Sequence, residues 1–342
     1  MISGKLWLPP SGGRSANSAD DILTAMKSTL TRREFLERTA LTTAVVACAR
    51  PAMAADTMFV SLNGAVTRGV SGIDKARLAA KIGFGGVDWD FGPMKTAGVD
   101  ATKTLFAELK IKPTIANLPM ARPLPFSGDQ PAFQQALTQL ADDAAFSSAI
   151  GCNRMMVVLP ASTPLPREEQ RKIARDRLAA ISEVLQKSNV RLGIEFLGVQ
   201  QFRTQRPDGP PTHPFIWNLP EAVALAKDSG SNIGVILDVW HWHHSGSTIE
   251  NILAAGKDRI VHVHVSDAKA QPPEDVRDNQ RLMPGEGVIN LTGFFQALKK
   301  IGYDGGVSPE PLGRVPQEMS PEEGAKLALD TTTATMKKAG VV

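Results

Sequence analysis

Four side chains of the second half of the chain are candidate ligands of one metal ion: Glu195, Asp238, His264 and Glu310. Each follows a largely apolar run that is typical of a buried strand. Burying one carboxylate is costly, and burying three close together is worse because they repel one another. A divalent cation removes that penalty, and three carboxylates with one imidazole suit Mn2+, Mg2+, Co2+ or Zn2+. We therefore predict one divalent metal ion on these four side chains.

The elements that would position these residues repeat eight times after Thr57. Each unit is a short β-branched or apolar run, a loop, and a stretch with the apolar spacing of a helix. The runs cover residues 58–62, 86–89, 113–117, 154–159, 191–196, 233–238, 260–265 and 306–308. Strands that alternate with helices predict a parallel sheet, and eight units predict an α/β, single-domain (β/α)8 TIM barrel. Its active site would lie at the carboxyl ends of the strands, where the four residues fall.

A doubly wound open sheet is the structural alternative. It would need a glycine-rich phosphate-binding turn after the first strand, and residues 63–66, Asn-Gly-Ala-Val, are not one. A proline-rich stretch at 206–214 and a charged stretch at 271–281 are predicted to be long loops over the barrel mouth. Taken singly, an acid at a strand end is usually a helix N-cap or a surface charge, so the metal prediction depends on the joint pattern.

A segment rich in histidine and tryptophan begins at Asp238 and reads Asp-Val-Trp-His-Trp-His-His. We predict that His241 contacts the substrate or carries a proton, with His243 as the alternative. Trp240 and Trp242 are candidates to cover a sugar face, although packing is the simpler interpretation for at least one of them.

His262 and His264 are two residues apart, so both face the same side of their strand. His264 is nearer the carboxyl end and is the better metal ligand. His262 would lie one layer deeper, where a structural role is favoured.

Residues 1–55 are predicted to be an N-terminal extension with an export signal, and residues 56–342 the barrel domain. Residues 31–36, Thr-Arg-Arg-Glu-Phe-Leu, are similar to a twin-arginine signal, and a weakly apolar stretch and small residues follow. The apolar stretch is too short to span a membrane, so no stable membrane insertion is expected. We expect the twin-arginine export machinery as a partner and a periplasmic or secreted location.

Two other interpretations of this segment stay open. It could be an amphipathic N-terminal helix of the fold, or a lipid could be attached at Cys48, which follows Val-Val-Ala. Met26 is a second candidate for the start of the chain, beside Met1. Twin-arginine export carries folded proteins, so a metal could be loaded before transport.

The charge of the chain argues against some binding functions, and its cysteine content argues against an internal disulfide. The chain has 38 basic and 35 acidic residues, and the excess lies in the first 55, which leaves 31 of each sign. A near-neutral domain has no electrostatic basis for binding nucleic acid or an anionic membrane. Cys48 lies in the leader, so Cys152 has no partner for an internal disulfide after cleavage. Whether the chain forms a homo-oligomer is left open.

At these residues the chain resembles the xylose-isomerase-like barrel superfamily of sugar isomerases and epimerases, and most closely the inosose (keto-inositol) isomerases. The resemblance covers essentially all of the chain after Thr57. The similar segments are 193–198, 237–247, 262–267, 281–287 and 301–311. It implies that Arg281, in Arg-x-x-Pro-Gly-x-Gly, holds substrate oxygens, and we include Trp240, His241 and Asp267 among the substrate-binding residues.

At three points the sequence departs from the patterns of particular branches of the superfamily, and each departure speaks against the activity of that branch. Gln201 occupies the position of a substrate-binding Glu of ketose 3-epimerases, which speaks against that activity. Apurinic endonucleases need histidines from early strands, and all six histidines here lie at or after His213. Xylose isomerases use two metals and more acidic ligands than this chain offers.

The implied reaction is proton transfer at a carbon next to a carbonyl, through a metal-stabilised enediolate of a sugar, keto-sugar or keto-inositol. Glu195 and Glu310 would remove and return the proton, and His241 would move a hydroxyl proton. The same site could serve a lyase or dehydratase, or an enzyme that cleaves a keto-glycoside. A non-catalytic periplasmic sugar-binding barrel is the further alternative. Export makes a sugar phosphate an unsuitable substrate.

Overall fold

The computed structural model describes residues 57–67, 69–203, 212–315 and 318–342. Eight parallel strands form a closed barrel in chain order. They are β1 (Phe59–Leu62), β2 (Gly86–Asp88), β3 (Lys112–Asn117), β4 (Arg154–Val158), β5 (Arg191–Glu195), β6 (Ile233–Asp238), β7 (Ile260–Val265) and β8 (Gly306–Pro309). The predicted TIM barrel is confirmed, and the predicted strand bounds differ from these by at most one residue at either end.

Helices surround the barrel. They are α1 (Gly72–Ile82), α2 (Phe91–Ala97), α3 (Val99–Leu109), α4 (Gln130–Ala149), α5 (Arg167–Gln186), α6 (Leu219–Ser229), α7 (Val239–His244), α8 (Ile249–Ala255), α9 (Leu291–Lys300) and α10 (Pro321–Lys338). Side-chain caps begin several of them. Asp129 accepts a hydrogen bond from the amide of Ala132, 2.8 Å away, and Asn218 from that of Glu221, 3.0 Å away. Such caps satisfy amides that have no partner within the helix.

The two predicted long loops carry local structure that the sequence patterns did not indicate. His213–Pro214 pairs antiparallel with Ser162–Thr163, and the part of the proline-rich stretch before residue 212 lies outside the described residues. The charged stretch contains two 3-10 turns, Pro273–Asp275 and Asp278–Gln280. It is therefore not irregular throughout, and its predicted position over the barrel mouth stays a prediction.

The predicted leader, including the twin arginines and Cys48, lies outside the described residues. Within the described ranges, none of the helices combines the length and the apolar character needed to cross a membrane.

The interior of the barrel has an apolar side and a polar side. Ile115, Ile236 and Val261 form a small apolar cluster of their own, separate from the large core between strands and helices. Space there is tight, because a Cβ on Gly193 would lie 2.3 Å from Cδ1 of Ile236. The polar side is formed by Ser61, Asp88, Thr114, His262 and Ser308, from strands β1, β2, β3, β7 and β8.

Strand register brings the carboxyl ends of β6, β7 and β8 to one level. Asp238 pairs with His264, and His264 pairs with Ser308. The amide of Glu310 then bonds to the carbonyl of Val265, 2.9 Å away, so the chain continues alongside β7 after β8 ends. This pairing places the residues after three successive strands at one end of the barrel.

Candidate metal centre

The four predicted ligands converge at the carboxyl end of the barrel. One ligand atom from each of Glu195, Asp238, His264 and Glu310 lies within 4.8 Å of the others. Nδ1 of His264 is 3.0 Å from Oε1 of Glu195 and 3.4 Å from Oε2 of Glu310. The first three residues are buried and Glu310 is partly buried. The sequence thus identified side chains that do meet at one point, and their role as ligands stays a prediction.

Asp238 joins this cluster to helix α7. Its Oδ1 accepts a hydrogen bond from the amide of Trp240 at 2.7 Å, which caps the helix. Its Oδ2 accepts one from Nη1 of Arg281, also at 2.7 Å. Each carboxylate oxygen is therefore held in place by its own donor.

Arg281 is buried and lies among the carboxylates. Besides Asp238, its Nη1 donates to Oε2 of Glu310 at 3.0 Å, and its Nη2 donates to Oδ1 of Asp278 at 2.8 Å. Its guanidinium carbon lies 5.6 Å from the ring centre of Trp240. The resemblance placed this arginine on substrate oxygens, whereas its contacts here are with acids of the site and with an aromatic ring.

The acidic residues of the site favour positively charged groups among them. Burial by itself disfavours the charged imidazolium, yet Glu310 and Glu195 raise the pKa of His264 well above its ordinary value. Burial raises the pKa of Glu195, against the hydrogen bond and charge of His264. Burial alone would also raise the pKa of Asp238, but the charges of Arg281 and His241 hold it below the usual range. A divalent cation fits such a donor set in charge and in ligand type.

His241 lies on α7 beside Arg281. Its Nε2 is 3.3 Å from Nη2 of Arg281 and 4.0 Å from Oδ1 of Asp278, and its Nδ1 has no hydrogen-bond partner among the described residues. The side chain is buried. The structure thus brings His241 to the arginine that the sequence analysis had placed at the substrate.

The two tryptophans of this segment are buried. Trp240 packs against the ring of His244, with centroids 4.4 Å apart, and under Arg281. Trp242 packs on Phe294, and its Nε1 donates to the carbonyl of Thr248. Packing therefore explains Trp242 fully, while the predicted contact between Trp240 and a sugar has no support in these contacts.

Asp267 holds a loop in place. Its two carboxylate oxygens accept hydrogen bonds from four backbone amides within 3.1 Å, those of Ala268, Gly285, Gly287 and Ile289. Its own backbone bridges that of Leu282 in both directions. The residue pattern around Asp267 did not indicate this role, and its predicted substrate contact has no support in these hydrogen bonds.

A second polar cluster lies deeper in the barrel and was not identified from the sequence. Oδ1 of Asp88 accepts hydrogen bonds from the hydroxyls of Ser61 and Ser308, each at 2.9 Å, and Oδ2 accepts one from Asn63 at 3.1 Å. Nε2 of His262 is 2.8 Å from the Ser308 hydroxyl. Asp88 carries the same signal as the predicted ligands, since it is an acid at the carboxyl end of a barrel strand.

His262 has the deeper position that the sequence analysis expected. Burial, together with the charge of His264, holds the pKa of His262 well below its ordinary value, so the ring is neutral. Because Ser308 donates to Asp88, Nε2 of His262 must donate to Ser308. This chain of donors points toward the Asp88 carboxylate.

The chain is similar in sequence to several characterised proteins. The chain is 27% identical over 248 residues to an inosose isomerase of Halalkalibacterium halodurans, an alignment that covers 72% of this chain and 82% of that protein. It is 26% identical over 211 residues to an inosose isomerase of Bacillus subtilis, covering 61% and 72%. A shorter similarity, 27% over 115 residues, relates it to an inosose dehydratase of Lacticaseibacillus casei and covers 30% and 38%.

Solved structures of the same architecture superpose on most of the chain. A xylose isomerase domain protein from Alicyclobacillus acidocaldarius has a TM-score of 0.74 at 24% identity and covers 83% of this chain and 99% of that one. The IOLI protein, solved with a zinc atom, has a TM-score of 0.68 at 25% identity and covers 82% and 99%. Residues 76–334 match the family described as xylose isomerase-like TIM barrel. The chain belongs to that family.

Proposed function

We propose that this chain is a divalent-metal-dependent isomerase or epimerase that moves a proton in a keto-sugar or keto-inositol. The observation that carries the proposal is the convergence of Glu195 and Glu310 on Nδ1 of His264, at 3.0 and 3.4 Å. Two carboxylates that face one point can remove a proton from a carbon and return it at another position. The similarity to inosose isomerases supports the substrate class.

Each residue of the centre has one task in this proposal. A bound divalent metal would polarise the substrate carbonyl and stabilise the enediolate. Glu195 and Glu310 exchange the carbon-bound proton. Arg281 holds a substrate oxygen through its guanidinium, which packs over the ring of Trp240. His241, which lies beside Arg281, moves a hydroxyl proton.

Hydrogen exchange tests the reaction directly. The metal-loaded full chain is incubated in D2O with a panel of keto-inositols and keto-sugars, and deuterium at carbon is followed by NMR. We expect exchange with the substrate. Glu195→Gln and Glu310→Gln should each slow it by about 10²–10⁴-fold, because an amide keeps the shape but cannot accept the proton.

Two variants serve as controls for that experiment. Glu183→Gln makes the same change at an exposed position of α5 and should leave the rate unchanged. Asp238→Ala should lose the metal and the activity together, which separates loss of the ion from loss of the proton acceptor. Isomerisation with full retention of the original hydrogen would contradict proton transfer and indicate a hydride shift.

A dehydratase is the second candidate, favoured by the partial similarity to an inosose dehydratase. Removal of the same proton followed by loss of a neighbouring hydroxyl would give a product lighter by one water, which mass spectrometry detects. Cleavage of a keto-glycoside would instead release a free sugar. A binding protein without catalysis would retain substrate unchanged, with no deuterium at carbon.

A further inference from the structure

The predicted ligand set uses only one nitrogen of His264. Its Nδ1 faces Glu195 and Glu310, whereas its Nε2 is buried and has no hydrogen-bond partner among the described residues. A neutral imidazole that binds a metal through Nδ1 carries its hydrogen on Nε2, which is then a donor. Leaving a buried donor unpaired costs about 1–3 kcal/mol. A hydrogen-bond acceptor is therefore expected next to Nε2.

Asp88 provides an acceptor in the right place. A carboxylate oxygen of Asp88 and one ring nitrogen from each of His262 and His264 all lie within 4.8 Å of one another. Asp88 ends strand β2, which is three strands away from β7 around the barrel. The distance between the carboxylate oxygen and the ring nitrogens is short enough for one bridging water or for a small shift of the side chain.

The surroundings of Asp88 keep its carboxylate oriented. Its neighbours Ser61, Ser308 and Asn63 are neutral donors, and they hold both oxygens in fixed positions. Burial raises the pKa of Asp88, and the charge of His264 is the strongest of the interactions that act against this rise. A donor on His264 therefore stabilises the carboxylate.

We propose that Asp88 is a positioning residue for His264: it accepts the Nε2–H bond, directly or through one water, and so keeps Nδ1 free to bind the metal. This inference rests on the proposed metal site. Carboxylates commonly orient metal-binding histidines in this way, and they make the ligating nitrogen more basic.

A second metal ion on Asp88, His262 and His264 is the competing interpretation. Three observations favour the positioning role. The oxygens of Asp88 already accept three hydrogen bonds, Nε2 of His262 is paired with Ser308, and Nδ1 of His264 faces the other carboxylates. A second cation bound through Nε2 of His262 would displace the hydrogen bond from that nitrogen to Ser308.

Metal affinity of the full chain is the first readout. Zn2+ dissociation constants are measured by competition with a chelator for the wild type, Asp88→Asn and Asp88→Ala. We expect about 10–100-fold weaker binding in both variants. Thr114→Val is the matched control: it removes a buried polar group that neighbours Ser61 in the same layer, and it should leave the affinity unchanged.

The tautomer of His264 is the second readout and requires no variant. Nitrogen-15 NMR of histidine-labelled, zinc-loaded wild type should show His264 with its hydrogen on Nε2. A hydrogen on Nδ1 would overturn the inference even if both Asp88 variants failed to fold. So would equal affinity of the wild type and Asp88→Asn, or two ions bound per chain. If the wild type binds no metal at all, the proposed function itself fails.

Discussion

At the scale of single residues, His264 determines how the centre responds to acidity. Glu310 and Glu195 raise the pKa of its imidazole well above the ordinary value. In the absence of a metal the ring therefore carries a hydrogen on both nitrogens at neutral pH and is positively charged. A metal ion must displace one of these protons, because only the neutral ring can ligate. Affinity should therefore rise with pH and level off only above the raised pKa of His264.

Calorimetry measures this competition. Titration of the chain with Zn2+ in two buffers of different ionisation enthalpy should report release of about one proton per ion, and the affinity should change by about tenfold per pH unit. An affinity that is constant between about pH 6 and 8, the range in which an ordinary histidine titrates, would contradict a protonated His264.

The four acceptors of the centre could be predicted because each follows an apolar run that marks a strand. The contacts of Arg281 could not be predicted, because this residue ends a loop in which the residue types show no regular spacing. Asp88 ends a strand of three residues, and its partners Ser61 and Ser308 come from distant parts of the chain. Sequence spacing cannot indicate such meetings, whereas barrel closure produces them.

At the scale of elements, the loop after β7 depends on one carboxylate. Asp267→Ala would leave the amides of Gly285, Gly287 and Ile289 without their acceptor. We expect the free energy of unfolding to fall by about 2–4 kcal/mol, because these hydrogen bonds are made to a charged group. Urea denaturation followed by circular dichroism measures the change.

A surface change in the same loop is the control. Glu286→Gln removes the exposed ion pair with Arg314 and should cost less than about 1 kcal/mol. Because the loop that the Asp267 side chain anchors follows shortly after Arg281, the Asp267 variant should bind substrate more weakly while it retains the metal. Equal stability of Asp267→Ala and Glu286→Gln would refute the anchoring role.

The strands could be predicted to within one residue at either end because each is a short apolar run. The helices between them could be predicted because their apolar residues have helical spacing. The antiparallel pair of Ser162–Thr163 with His213–Pro214 could not, since two residues have no period. The loop anchored by Asp267 is a similar case: the resemblance indicated the Pro-Gly segment but not what holds it.

At the scale of the whole molecule, the first strand begins at Phe59, after the predicted signal. We propose that residues 1–55 direct export and do not contribute to the barrel. Deleting them should leave a soluble protein that binds metal as the full chain does. Replacing Arg32 and Arg33 together with Lys should stop export, measured by cell fractionation. An insoluble truncated chain beside a soluble full chain would contradict the assignment.

The position of Asp238 between helix α7 and Arg281 has a consequence for the energetics of binding. One oxygen is held by the amide of Trp240 and the other by Arg281, so the carboxylate has no rotational freedom left to lose. The conformational entropy of that side chain, on the order of 1 kcal/mol or less, is lost when the barrel folds. A ligand that arrives later meets a preorganised acceptor, and its affinity is not reduced by ordering this side chain.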